Sequence, residues 1–445
     1  MEMIFSMTPF ERVLLLGTGP TSIQLAVNFK NNLNCEISIA GRESIRSKNV
    51  YENIAKQGFL VKANTQNKQH YTLNGECVID KLYKGYHKIA GNWDTIILSV
   101  TTDAYTTVLK QMNQKVLLDA KCVVLISPTF GSNSLIASYL KSISSQAEVI
   151  SFSTYYGDTR WLNDTPSNEV LTTGMKKKVY IGSTKKKSER MTILKNLFHQ
   201  LGIQLEMMAS PLEAETRNIS LYVHPPLFMN EFSLKAIFEE TTVKKYVYKL
   251  YPEGPITKQL IHNLLNHWKE IMAVVQRLNI KTLNLLQFMV DDNYPLRSES
   301  LSRSDIENFE QFEPIHQEYL LYIRYASLLI DPFSTPDVEG RYFDFSAVPI
   351  RKMFLNLDGC WDIPRMPKED YYRVKIIQGI ARCLNVDCPM IDQFIQIYEK
   401  KIQEVVAASS EVLRSDAFTV RTYSEDIQLI CNEIKSNLET TTFTK

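Results

Sequence analysis

Two glycines in a tight turn, an arginine just past a short β run, and a histidine followed by two prolines are the residues of this chain best suited to chemistry. The glycines sit in Gly17-Thr18-Gly19-Pro20, directly after the apolar run Val13–Leu16. Ile23, Ala26 and Val27 follow at helical spacing. A strand, a glycine turn and a helix start bring bare backbone N–H groups and a positive dipole end together, an arrangement suited to a pyrophosphate. Gly17 allows the turn, Gly19 lets the backbone approach the phosphates, and Ser22 stands where a third glycine is usual. After the next β run, Glu36–Ala40, comes Gly41-Arg42. An acid there would hold a ribose 2′-hydroxyl, whereas an arginine accommodates a 2′-phosphate. Arg42 therefore predicts NADPH as cofactor, with Lys48 adding a second positive charge. The bland reading makes both solvated loop cations.

The histidine lies in Ser220-Leu221-Tyr222-Val223-His224-Pro225-Pro226. Pro225 suits the first position of a helix and forces its predecessor to be extended. His224 is then expected at a helix N-terminus, close to the junction of two domains. A positive dipole end there keeps an imidazole titrating in a range useful for proton transfer. The competing reading is a structural histidine. The other six lie in polar loops or on helix faces.

The elements that must position these residues change character along the chain. Thr95–Val100, Val123–Ser127 and Val149–Ser153 are apolar β runs separated by helical patterns, and 179–182 and 204–208 add two more. This predicts an α/β fold with an N-terminal Rossmann-like, doubly wound parallel sheet over 1–210 that binds NADP(H). His70–Leu82 reads as a hairpin with Asn74-Gly75 as its turn. From Pro211 helical periodicity dominates, predicting a mainly α-helical catalytic and substrate domain over 211–445. Ile256 to Val275 forms one apolar stripe, and Ile315, Tyr319, Tyr322, Ile323 and Ala326 form another, both expected in the core. In open sheets ligands bind at the carboxyl ends of the strands. The segments after those ends are Thr101–Tyr105, Pro128–Gly131 and Thr154–Arg160.

Composition narrows the class. A net charge of +1 gives no support for nucleic-acid or membrane binding. No apolar stretch reaches the roughly 18 residues of a membrane span. Seven scattered cysteines suit reduced thiols in a cytoplasm better than a disulfide framework. No metal site is expected, and a homodimer is the expected assembly.

Longer strings carry a family resemblance. They are Ile126–Ser132, Ile150–Tyr155 with Gly157–Arg160, Ser220–Asn230, Tyr251–Thr257 and Tyr342–Pro349, together with the glycine turn. In these the chain resembles the opine dehydrogenases of bacterial metallophore synthesis through nearly its whole length. The resemblance implies that an amino-acid-derived amine condenses with a 2-oxo acid; in the relatives most like this chain the amine is a histidine extended by an aminobutyrate unit and the oxo acid is pyruvate. Hydride from NADPH then reduces the imine. The product chelates transition metals, while the enzyme needs none. His224 matches the family's catalytic histidine, and Asp158 matches an acidic residue that would hold a cationic amine or orient the imidazole. Gly17, Thr18, Gly19, Pro20, Arg42, Lys48 and Thr101 map to the cofactor side. Phe130, Tyr155 and Asn230 map to the substrate pocket, and Arg160 or Arg217 is the cation for the substrate carboxylates. Two alternatives stand beside this: an NADP-dependent 2-oxo-acid or ketopantoate-type reductase, and a non-catalytic NADP-sensing protein.

Overall fold

The computed structural model describes residues 9–408 and 413–442. Residues up to Asn218 join those from Gln428 onward in one compact unit, and Ile219–Ile427 form a second. The first unit thus extends past residue 210 and takes in most of the last helix.

The strands of the first unit are β1 (Arg12–Leu16), β2 (Glu36–Gly41), β3 (Leu60–Thr65), β4 (Gly75–Val78), β5 (Lys81–Lys84), β6 (Thr95–Leu98), β7 (Cys122–Leu125), β8 (Glu148–Phe152), β9 (Gly157–Trp161), β10 (Glu169–Met175), β11 (Lys178–Ser183) and β12 (Gln204–Met207). The principal sheet has the order β12-β11-β8-β7-β6-β1-β2-β5. From β8 to β5 every neighbour is parallel. β11 runs antiparallel to β8 and carries β12 parallel beside it, so the expected parallel sheet has a mixed edge. Alternation buries both faces: Val13 and Leu15 enter one apolar cluster, Leu14 and Leu16 the other. Helices α1 (Pro20–Leu33) and α2 (Ile45–Lys56) add to the first cluster; α3 (Tyr105–Lys110), α4 (Gln114–Asp119) and α5 (Ser132–Ser142) to the second; α6 (Glu189–Gln200) again to the first. A short α7 (Pro211–Thr216) follows.

A second sheet, β4-β3-β10-β9, was not legible in the apolar pattern. The expected hairpin over His70–Leu82 does not form. β4 pairs antiparallel with β3, while β5 pairs parallel with β2 in the other sheet. Asp80 pins the crossing, accepting from the Ile37 N–H at 2.7 Å and from Lys30 Nζ at 2.5 Å.

The second unit is mainly helical: α8 (Ser220–Phe228), α9 (Glu231–Phe238), α10 (Lys258–Arg277), α11 (Leu285–Asp291), α12 (Arg303–Glu307), α13 (Pro314–Ala326), α14 (Arg365–Cys383) and α15 (Pro389–Ala408), before α16 (Ser424–Thr442) returns to the first unit. The α10 stripe is buried as expected, and Thr257 caps its start by accepting from the Leu260 N–H. The α13 stripe is not. Ile315, Tyr319 and Tyr322 are 68%, 61% and 40% exposed, and the helix instead buries Gln317, Leu320, Leu321, Arg324 and Tyr325. The period was right and the phase wrong, because two polar residues, Gln317 and Arg324, belong to the inner face.

Candidate active site

In the first unit the glycine turn is built as its sequence requires. Gly17 adopts φ +134°, and a Cβ there would lie 2.9 Å from the Ser99 carbonyl oxygen. Its N–H donates to the Ala40 carbonyl at 2.7 Å. Gly19 is the N-cap of α1 with no side-chain cap, and a Cβ on it would meet nothing within 4 Å. Pro20 starts the helix, and the first turn holds no acid. The helix start thus has no side-chain cap, no acid and open space beside Gly19, the conditions under which a positive dipole end can receive a phosphate. Ser22 replaces the third glycine without loss of close packing. It is fully buried, and its hydroxyl pairs with that of Ser99 at 2.7 Å. Gly41 was missed as part of this turn: a Cβ there would collide with the Thr18 methyl.

Arg42 is exposed after β2, and the Tyr51 hydroxyl donates to its carbonyl at 3.3 Å. The adjacent Glu43 is taken by Lys88, 2.5 Å away, so no described acid neutralises Arg42. Lys48 is exposed on α2 with a loose partner, Glu52, at 3.9 Å. Thr101 is exposed at the start of the turn after β6. These residues fit a dinucleotide bearing an extra phosphate.

The other first-unit candidates are placed differently from one another. Asp158 and Arg160 lie exposed on β9, with Asp158 Oδ2 accepting from the Thr173 hydroxyl at 2.9 Å. The Tyr155 hydroxyl pairs with that of Thr159 at 3.0 Å, and Thr159 with Thr172 at 2.8 Å. Thr172 then donates to Gln24 of α1 at 2.9 Å. Tyr155 thus heads a polar chain that ties the second sheet to α1. Phe130 is fully buried. Arg217 is held 3.7 Å from Glu213. Sequence reasoning missed Glu215. This buried carboxylate accepts from the Gly131 N–H at 2.9 Å, the Asn133 N–H at 2.7 Å, Asn133 Nδ2 at 2.8 Å and the Ser151 hydroxyl at 2.7 Å. It therefore fixes the loop after β7. Burial outweighs those bonds and pushes it up to about 7.

In the second unit, Pro225 and Pro226 lie inside α8, so His224 is in mid-helix and not at a positive helix end. Pro225 has no N–H for the Leu221 carbonyl. His267 of α10 supplies one: its Nε2 lies 2.9 Å from that carbonyl and must carry the hydrogen. His267 is fully buried, and burial lowers it to about 4, so it is neutral. That tertiary bond explains how a helix runs through a proline pair whose local signal is a helix start.

The ring of His224, 19% exposed, stands edge-on to Phe228 at 5.4 Å. Its Nδ1 lies 3.6 Å from Oδ1 of Asp370, which is fully buried on α14. Arg373, one turn on, pairs with the same oxygen. Nε2 bonds to no described residue. The carboxylate is an ion-pair neighbour of Nδ1 and lies beyond hydrogen-bond distance, while Nε2 is the nitrogen without a described partner, able to give or take a proton. Asp370 is the carboxylate that sequence reasoning missed. Its signal was the Asp370-to-Arg373 spacing on one helix face, which nothing local links to His224. Asn230 has a structural task. It caps α9 by accepting from the Ser233 N–H at 2.9 Å, and its amide donates to the carbonyls of Pro226 and Leu227.

A family model described as staphylopine dehydrogenase matches residues 11–434. The chain is 48% identical to a staphylopine synthase of Staphylococcus aureus over 96% of its own length and 99% of the relative's. It is 34% identical to a pseudopaline synthase of Pseudomonas aeruginosa over 88% of this chain and 90% of that one. A solved yersinopine dehydrogenase with NADP+ bound superposes with a TM-score of 0.88 at 27% identity, covering 96% of this chain and 99% of that one. An octopine dehydrogenase, at 16% identity and a TM-score of 0.60, shares the fold. The chain belongs to the staphylopine dehydrogenase family and is an opine-type oxidoreductase acting on CH–NH groups.

Proposed function

We propose that this enzyme condenses a 2-oxo acid, pyruvate foremost, with the amine of an aminobutyrate-extended histidine and reduces the imine with NADPH. The product is a staphylopine-like secondary amine that chelates transition metals. The observation that carries the reading is the His224–Asp370 pair. An imine accepts hydride best when its nitrogen is protonated, and Nε2 of His224 is a proton carrier with a buried carboxylate 3.6 Å from the ring's other nitrogen. NADPH, when bound, supplies the hydride. The first unit is the proposed coenzyme domain: the uncapped start of α1 with Gly17, Thr18, Gly19 and Pro20 cradles the pyrophosphate, Arg42 and Lys48 read the 2′-phosphate, and Thr101 lies along the dinucleotide. The NADP+ held by the yersinopine dehydrogenase structure supports that choice.

The second unit is the proposed catalytic domain. Asp370 is the charge beside the imidazole, which leaves Asp158 the task of holding the cationic amine. Arg160, Tyr155 and Phe130 are the other substrate residues proposed for the first unit, and Asn230 is the one proposed for the second. The enzyme acts in the cytoplasm, a reading supported by seven free thiols, and as a homodimer, the commonest assembly of soluble oligomers. The test is NADPH oxidation with each substrate alone and together, with mass spectrometry of the product. Turnover that needs both supports the reading, and turnover of the oxo acid alone replaces it with a 2-oxo-acid reductase.

A further inference from the structure

Residues 128–131, the loop after β7, are buried, although loops ordinarily run over the surface, where water satisfies their backbone. Side chains take the place of water here. The Ser132 hydroxyl accepts from the Thr129 N–H at 3.0 Å. Gly131 is the N-cap of α5, with φ +90°, and has no side chain to cap the helix. The cap comes from Glu215 of α7, 84 residues further along. Its two oxygens take the N–H groups of Gly131 and Asn133, one on each side of the helix start. The same carboxylate accepts from Asn133 Nδ2 and from the Ser151 hydroxyl of β8. Most capped helices of this unit use their own residue: Ser44 for α2, Asn113 for α4, Ser188 for α6. A local serine caps a helix without burying a charge, which is costly. The remote carboxylate achieves something a serine does not: it fastens the loop to α7 and β8 at once.

The loop's place in the sheet gives that fastening a use. β2 lies on one side of β1, and β6 and β7 on the other. A dinucleotide crosses the carboxyl edge where the strand order reverses, with one mononucleotide over each half of the sheet. Arg42, the cation for the phosphate on the adenosine ribose, follows β2. The nicotinamide half is left with the β6 and β7 side. There the Thr102 hydroxyl, in the turn after β6, donates to the Ser127 carbonyl at 3.5 Å. The turn after β6 and the loop after β7 are thus joined, and Glu215 holds the far end of the second.

We propose that Glu215 is a positioning residue for the coenzyme: by capping α5 and pinning the loop after β7, it sets the surface on which the nicotinamide half of NADPH lies. This deepens the coenzyme placement proposed above and rests on it. Glu215 touches no reacting atom and acts through the loop. In Glu215→Gln one oxygen becomes an NH2 group that faces N–H donors, so the cap opens. The discriminating probe is 2′,5′-ADP, which has the adenosine half and its extra phosphate without the nicotinamide. Glu215→Gln should lower kcat/KM for NADPH about 10- to 100-fold, the worth of a charged hydrogen bond, and leave the Kd of 2′,5′-ADP, read by calorimetry, at the wild-type value. Glu215→Asp, which keeps the charge on a shorter arm, should recover part of the loss. An unchanged kcat/KM would overturn the proposal, and so would an equal weakening of both nucleotides, which makes Glu215 a general support of the fold. If Glu215→Gln does not fold, Asn133→Ala decides, since it removes one side-chain donor and keeps both backbone bonds. A several-fold fall in kcat/KM for NADPH with 2′,5′-ADP binding intact supports the role, and no fall overturns it. Failure of the coenzyme placement itself would show differently: wild type would bind NADPH and not 2′,5′-ADP, and the proposal would fall with it.

Discussion

His267 Nε2 donates to the Leu221 carbonyl at 2.9 Å, filling the vacancy that Pro225 leaves in α8 one residue beyond His224. The bond makes a buried histidine of α10 responsible for the path of α8. His267→Phe keeps the ring and loses the donor, stranding a buried carbonyl at a cost of about 1–3 kcal/mol. It should lower both the urea midpoint and kcat. His267→Gln, which keeps an N–H, should recover part of each. Equal behaviour of the two variants would show that the ring's volume matters and its donor does not.

His224 and Asp370 should act as a unit. His224→Ala should reduce kcat about 10²–10⁴-fold while NADPH affinity stays unchanged. Asp370→Asn should lower kcat by less, and combining the two should cost little more than His224→Ala alone. Steady-state kinetics of the three variants check this. Additive losses would separate the two residues.

Arg42 should set coenzyme choice. Its guanidinium has no described acid to neutralise it, because Glu43 is held by Lys88. Arg42→Ala should lower kcat/KM for NADPH about 10- to 100-fold and leave that for NADH nearly unaltered. An equal fall for both coenzymes would assign Arg42 to the fold.

Two buried groups should give stability opposite pH slopes. Glu215 is raised to about 7 from 4.5. The folded state thus keeps a proton that the unfolded chain has released, so this contribution is full below 4.5 and lost as pH rises toward 7. His267 is lowered to about 4 from 6.5, so its contribution is full above 6.5 and lost as pH falls toward 4. Each amounts to at most about 3 kcal/mol. Urea midpoints near the two ends of the shared window check the signs. Glu215→Gln should make stability rise more steeply with pH, and His267→Gln should make it rise less.

The glycine turn and the parallel strands were legible because each is a local pattern: a turn that admits only glycine and an apolar run. What was not legible depends on partners far along the chain. The proline pair signals a helix start until His267 is set against it. Asp370 becomes meaningful only when α14 packs on α8. β9 and β10 escaped notice because their inner face carries threonines: Thr159 and Thr172 bond each other at 2.8 Å and extend the chain to Gln24. The phase of α13 was misread because its inner face holds Arg324, a residue ordinarily assigned to the surface.

The central claim is that hydride from NADPH and a proton from the protein complete a carbon–nitrogen bond. Reaction with NADPH deuterated at both positions of nicotinamide C4, followed by mass spectrometry, tests it most directly. The account predicts a product joining amine and pyruvate with loss of the keto oxygen, carrying one deuterium on the former keto carbon. Deuterated lactate, or a joined product without deuterium, would contradict it.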